Sequence, residues 1–305
     1  MKKIMLVLLL GCNLFASAYT ITKVPKDAAH QFGNVVVKQN NFDKGQAWFV
    51  FLHGAGEVGN GSANDLSRIA TWGGVQYMWQ ATDHFGFNAI AVQTSSRYQY
   101  GEIQYTVRYL IDSLGADPDR IYTVNNSLGG YGFAQQSGVD PTLPKLFAAI
   151  IQVVMGPGET TNTAFNIANS KTPIWFFSSA DDLTSGTTVY KTDTLYNRVK
   201  RLGGNAWYTR WVKGGHGVIS RVVGSYYKLP NNWKLSVCEA GYNTSATIFC
   251  NPPVSVYAWA LANKRGTPIV PPTMIAPAPA PVPTEPKLIK TIQFFDNGTF
   301  KEAVN

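Results

Sequence analysis

From Trp48 to Val212 the sequence repeats one pattern. A short run of β-branched and aromatic residues stops at glycine, serine or a polar turn, and a longer segment follows. The runs are WFVFLHG (48–54), NAIAVQ (88–93), RIYTVN (120–125), FAAIIQVV (147–154), PIWFFSS (173–179) and AWYTRWV (206–212). Their apolar residues come in succession rather than in strict alternation, as in strands buried on both faces. Between them, YTVRYLIDSLGAD (105–117) carries an apolar face, VYKTDTLYNRVKRLGG (189–204) ends in cations and glycines, and DLSRIATWGGVQYMW (65–79) reads as a helix interrupted by glycines. Strands alternating with helices predict an α/β architecture: a mainly parallel central sheet with helices on both faces.

Length and composition set the frame for that sheet. Of the 305 residues, roughly 250 remain for folded structure once the two ends are set aside, which suits one domain with a sizeable core. Hydrophobic residues make up 45% and charged residues 14%, a globular composition with fewer charges than the ~25% common in soluble proteins. The net charge of +8 includes Lys2 and Lys3, and the other cations are scattered, with no run longer than two. Without a basic run or a stacking array of aromatics, the chain lacks the footprint of a nucleic-acid binder. A weak attraction to acidic polysaccharides is compatible with this charge.

The ends have their own signatures. Residues 1–18 join two lysines, a short apolar run and the small residues Ala16, Ser17 and Ala18, the pattern of a secretory signal peptide cleaved after Ala18 and far too short to span a bilayer. The expected location is secreted, periplasmic or extracellular. LLGC (9–12) also resembles a lipoprotein processing site, in which Cys12 would carry lipid and tie the protein to a membrane. Cys238 and Cys250 remain; in an oxidising compartment they are a plausible disulfide, worth about 3 kcal/mol for a loop of this length. No cysteine or histidine cluster has metal spacing. After a catalytic domain at 19–265, residues 266–286 hold eight of the 17 prolines and read as an extended linker. Residues 287–305 read as a short hairpin-like tail around a DNG turn.

One strand candidate leads into TVNNSLGGYG (123–132). A G-x-S-x-G turn between strand and helix exposes a serine hydroxyl by straining the backbone. Here the five residues are Asn125, Asn126, Ser127, Leu128 and Gly129, so asparagine replaces the first glycine. It could tilt the turn or supply a hydrogen bond near the serine. A seryl nucleophile needs a base, an acid to orient it and donors for the developing oxyanion. Of the four histidines (His30, His53, His84 and His216), His216 lies in GGHG directly after a strand candidate, at the sheet's C-terminal edge where such sites form. Asp181 and Asp182 follow the strand PIWFFSS, and serine, aspartate, histidine is the chain order of this arrangement. FLHGAGEVGNGS (51–62) runs from a strand into a glycine-rich loop, where Ala55 or Gly56 would join the Leu128 N–H as oxyanion donors. Its glycines do not show nucleotide-phosphate spacing. His53 reads as shaping this loop.

Over residues 51–265 the chain resembles the α/β-hydrolases, and within them the secreted feruloyl esterase, acetyl xylan esterase and polyhydroxyalkanoate depolymerase-like group. The resemblance rests on FLHGAGE with its following GNG, DPDRIYTVNNSLGGYG, PKLFAAIIQVVMGPG, PIWFFSSADD and GGHGVIS. It implies an α/β-hydrolase fold and ester hydrolysis through an acyl-enzyme, with Ser127 as nucleophile and His216 as base. It puts Asp181 in the place of the acid, with Asp182 as the alternative.

Trp72, Trp79, Tyr98 and Tyr100 lie on the segments after WFVFLHG and NAIAVQ and would suit an aromatic wall for acyl groups or sugar rings, although ordinary core packing is the commoner role for any one such residue. The long segment between His216 and SVYAWALANKR (255–265) suggests a disulfide-stapled flap. The triad and backbone donors require no cofactor. The expected partner is an ester substrate, on a polysaccharide or a polymer. Two further readings stand beside esterase activity: a serine peptidase of prolyl-oligopeptidase type, and a non-catalytic binding protein on a hydrolase scaffold.

Overall fold

The computed structural model describes residues 20–22, 34–40, 43–71, 73–155, 158, 160–184, 189–224, 248–249, 255–270, 291–294 and 300–303. The signal-peptide segment, Cys12, Trp72, Cys238, Cys250 and most of the proposed linker and flap lie outside the described residues.

The larger unit, Tyr19–Pro286, is built on nine strands among the described residues: β1 (Thr20–Thr22), β2 (Asn34–Lys38), β3 (Gln46–Leu52), β4 (Asn88–Gln93), β5 (Ala116–Asn126), β6 (Ala149–Val153), β7 (Ile174–Ser179), β8 (Ala206–Trp211) and β9 (Ile248–Phe249). They lie in the order β1-β2-β4-β3-β5-β6-β7-β8-β9. From β4 to β9 every pairing is parallel, while β2 runs antiparallel to β4 and β1 antiparallel to β2. The six strand candidates are thus adjacent members of one parallel sheet. β1, β2 and β9, which the pattern did not single out, extend its edges.

Helices cover both faces. α1 (Ala63–Thr71), α2 (Gly73–Phe85), α7 (Ile219–Val223) and α8 (Val256–Ala262) pack with Phe49, Phe51, Tyr122 and Val124 in one apolar layer. α3 (Glu102–Asp112), α4 (Leu128–Val139), α5 (Thr161–Ser170) and α6 (Val189–Arg201) pack with Trp48, Val50, Leu52 and Ile121 in the other. Alternate residues of one strand thus feed two cores, which explains the unbroken apolar runs. The interrupted helix expected at 65–79 is two helices, α1 and α2. In the second compact unit, β10 (Thr291–Phe294) pairs antiparallel with β11 (Phe300–Ala303).

One polar row crosses the interior. The Thr123 hydroxyl donates to Asn125 Oδ1 at 2.5 Å, and Asn125 Nδ2 donates to Gln152 Oε1 on β6 at 3.0 Å. All three residues are buried. Replacing Asn125 with alanine removes both bonds and leaves buried polar groups without their partner, at a cost of about 1–3 kcal/mol. Urea unfolding of Asn125→Ala is expected to give a lower midpoint with an unchanged slope.

Candidate active site

Ser127 stands at the junction of β5 and α4 with φ 52° and ψ −106°. A non-glycine residue in such a region costs on the order of 1–3 kcal/mol and persists only where its surroundings enforce it. The Ser127 N–H donates to Val153 O at 3.0 Å, the Tyr131 N–H to Ser127 O at 2.9 Å, and the Gly129 N–H to His53 O at 2.9 Å. A Cβ on Gly129 would lie 2.1 Å from the Leu52 carbonyl oxygen, so only glycine lets α4 begin this close to β3. Asn125 does not hydrogen-bond the serine. Its side chain runs across the sheet into the polar row with Gln152, so no small residue is needed on the strand side.

His216 follows β8, with Nε2 2.8 Å from Ser127 Oγ and Nδ1 3.0 Å from Asp182 Oδ2. Because a carboxylate only accepts, the imidazole hydrogen belongs on Nδ1, which leaves the Nε2 lone pair facing the seryl hydroxyl. Asp182 is fully buried, Ser127 is nearly so, and His216 is partly open. The carboxylate on the imidazole is therefore Asp182, which corrects the first choice of Asp181. The turn after β7 directs Asp181 elsewhere: its Oδ1 accepts from the Gly214 N–H at 3.0 Å and the Gly215 N–H at 2.8 Å, and also from the Ser179 hydroxyl. Asp181 is exposed; desolvation opposes its ionisation, but those hydrogen bonds outweigh it and hold the carboxyl below the usual range.

The third component is the loop after β3. Ala55 and Gly56 open a 3₁₀ turn (Ala55–Glu57), and Leu128 is the first residue of α4, positions whose N–H groups have no acceptor within their own helix. Gly54 connects the two segments: a Cβ there would lie 3.6 Å from Ser127 Cβ and 3.2 Å from a carboxyl oxygen of Glu57. Burial pushes the Glu57 carboxyl up, against the backbone N–H groups of Glu57 and Gly54 and against Arg68.

Several residues that sequence reasoning passed over hold this loop. Gln93 Nε2 donates to Glu57 O at 3.0 Å, and Gln93 Oε1 accepts from the Gly61 N–H at 2.9 Å. Arg68 donates to Val58 O at 3.2 Å and pairs with Asp65. The one available signal was polar Gln93 closing the apolar run at 89–92. Among the described residues, no cluster of three His, Cys, Asp or Glu side chains could hold a metal ion.

His53 anchors the loop from beneath. It is fully buried, its Nε2 accepts from the Thr94 N–H at 3.1 Å, and its Nδ1 lies 2.6 Å from Gly54 O. These partners require the neutral ring with the hydrogen on Nδ1. Two of the aromatic wall residues prove to be interior. Tyr98 is buried, its hydroxyl accepting from the His53 N–H at 2.7 Å and donating to Val92 O at 3.1 Å. Trp79 is buried in the α1–α2 layer, with its indole N–H on Ala70 O at 3.0 Å. An aromatic residue that follows a strand fills a core as readily as a pocket, and here the core takes both. Tyr100 is exposed ahead of α3.

The described framework has solved counterparts. MPT51 of Mycobacterium tuberculosis is similar over 68% of this chain and 99% of its own, at 15% identity and a TM-score of 0.51. The fold is that of the α/β-hydrolases. A thermostable esterase is similar at 24% identity and a TM-score of 0.44, over 65% of this chain and 54% of its own. The carboxylesterase Cest-2923 from Lactobacillus plantarum is similar at 15% identity and a TM-score of 0.48, over 66% of this chain and 86% of its own. For the thermostable esterase and for an acylaminoacyl peptidase of Pyrococcus horikoshii, this chain spans only 54% and 36% of the counterpart's length. No protein-family model matches the sequence, and no curated relative matches it.

Burial pushes the His53 pKa from 6.5 down to about 4, against a hydrogen bond to Gly54 that works the other way. The folded-state value lies below the unfolded one, so the unfolded chain takes up the proton first. The stability gained from a neutral His53 is therefore complete above about pH 6.5 and is lost as the pH falls to about 4, a change of about 3 kcal/mol. Chemical denaturation at pH 7 and at pH 4 is expected to show a smaller drop for His53→Gln than for the parent protein.

Proposed function

We propose that this chain is a serine hydrolase that cleaves carboxylic esters through an acyl-enzyme. The observation that carries the reading is the continuous chain from Asp182 through His216 to Ser127, with contacts of 3.0 and 2.8 Å. Ser127 Oγ attacks the ester carbonyl carbon while His216 Nε2 takes the hydroxyl proton, and Asp182 stabilises the imidazolium that forms. The oxyanion of the tetrahedral intermediate is received by the Leu128 N–H and by that of Ala55 or Gly56. Collapse expels the alcohol, which takes the proton from His216. A water molecule then repeats the sequence and frees Ser127.

The resemblance of the sequence to secreted polymer-active esterases supports esters on a polysaccharide or a polyester as substrates. The charged and apolar features of residues 1–18 support export.

A fluorophosphonate probe is expected to label the folded protein at Ser127, identified by peptide mass. Ser127→Ala abolishes labelling, and His216→Ala suppresses it. On an activated ester, Asp182→Asn lowers kcat by about 10⁴-fold, because an amide stabilises the wrong imidazole tautomer. A folded protein that does not label refutes the reading and leaves a binding role on a hydrolase scaffold.

A further inference from the structure

We propose that Asp181 is a positioning residue: its carboxylate clasps the loop that carries His216 and sets where the imidazole stands. This rests on the hydrolase reading above and gives the first of two adjacent aspartates a task of its own.

Gly214 and Gly215 have φ values of 154° and 54°, and the N–H groups of both turn toward one carboxylate. Consecutive backbone N–H groups held in this way form an anion-binding concavity. Here the anion comes from the chain itself, from the turn that also carries Asp182. Asp181 Oδ1 lies 3.0 Å from Gly214 N and 2.8 Å from Gly215 N, while Oδ2 lies 3.3 Å from Gly214 N.

The flanking chain is tied as well. Arg221 Nη1 donates to Lys213 O at 2.7 Å, and the Ala180 N–H donates to Trp211 O at 2.7 Å. A Cβ on Gly214 would meet Val218 Cγ1 at 2.6 Å, so the loop has no room for another residue at this position. His216 is the next residue after the clasp.

The two carboxylates therefore divide the work of aiming one imidazole. Asp182 acts on the ring, through Nδ1. Asp181 acts on the backbone beneath it and touches neither His216 Nδ1 nor Ser127 Oγ. Without the clasp, the glycine pair recovers its conformational freedom, and misplacing a reacting group by about 1 Å costs on the order of 10²-fold in rate.

The test compares the parent chain, Asp181→Ala and Asp181→Asn by ester kinetics, Ser127 labelling rate and amide hydrogen exchange at Gly214 and Gly215. Asp181→Ala is expected to exchange faster at both glycines and to lose about 10- to 100-fold in kcat with KM unchanged. Asp181→Asn, which keeps one oxygen acceptor, should recover part of that loss. Should the alanine variant not fold, the asparagine variant decides, with faster exchange and a several-fold lower kcat at unchanged KM. Unchanged exchange overturns the clasp. Faster exchange with parental kcat and labelling, or a loss confined to KM, overturns the positioning role. If the parent protein itself fails to label, the hydrolase reading falls and the role falls with it, while the exchange data still report whether the clasp exists.

Discussion

The rest of the structure depends on the approach of the first turn of α4 to the end of β3. The Gly129 N–H reaches the His53 carbonyl at 2.9 Å, and a Cβ at position 129 would lie 2.1 Å from the Leu52 carbonyl oxygen. That approach bends the chain at Ser127 into a conformation it would not otherwise hold. It also brings the glycine-rich loop after β3 against the same serine. Any side chain at position 129 would push helix and strand apart and separate the seryl oxygen from that loop.

The parallel sheet distributes the remaining groups. The C-terminal ends of β3, β5, β7 and β8 lie on one edge, and each contributes one component: the loop of Ala55 and Gly56, Ser127, the two aspartates and His216. Distances of 2.8 and 3.0 Å are maintained among side chains far apart in sequence. A rigid, double-faced core supports them, since close-packed interiors deform little.

Much of this was legible in the residues. Apolar runs that feed two cores announce their strands, and so β4 matches NAIAVQ residue for residue. Ser127 and His216 stood out as candidates because glycines follow the first and flank the second, and the chain order suited them. The choice between Asp181 and Asp182 was not readable. Neighbouring carboxylates differ only in the direction the turn gives them, and that direction depends on where the Gly214 and Gly215 N–H groups stand. Trp79 and Tyr98 misled for a related reason, because composition does not distinguish an aromatic residue in a core from one in a pocket. Gln93 and Arg68 were overlooked because they act on backbone carbonyls and N–H groups rather than on a recognisable motif.

The order of the strands bears on how a growing chain would behave. After β4, β5 joins on the far side of β3, and each of β6, β7 and β8 then joins the sheet beside the strand made just before it. Ser127 and the loop of Ala55 and Gly56 are therefore complete in a chain that ends at residue 180, which has neither Asp182 nor His216. A seryl hydroxyl without a base is chemically quiet. On the proposed hydrolase reading, a truncated chain of that length therefore carries the nucleophile without the base that would activate it.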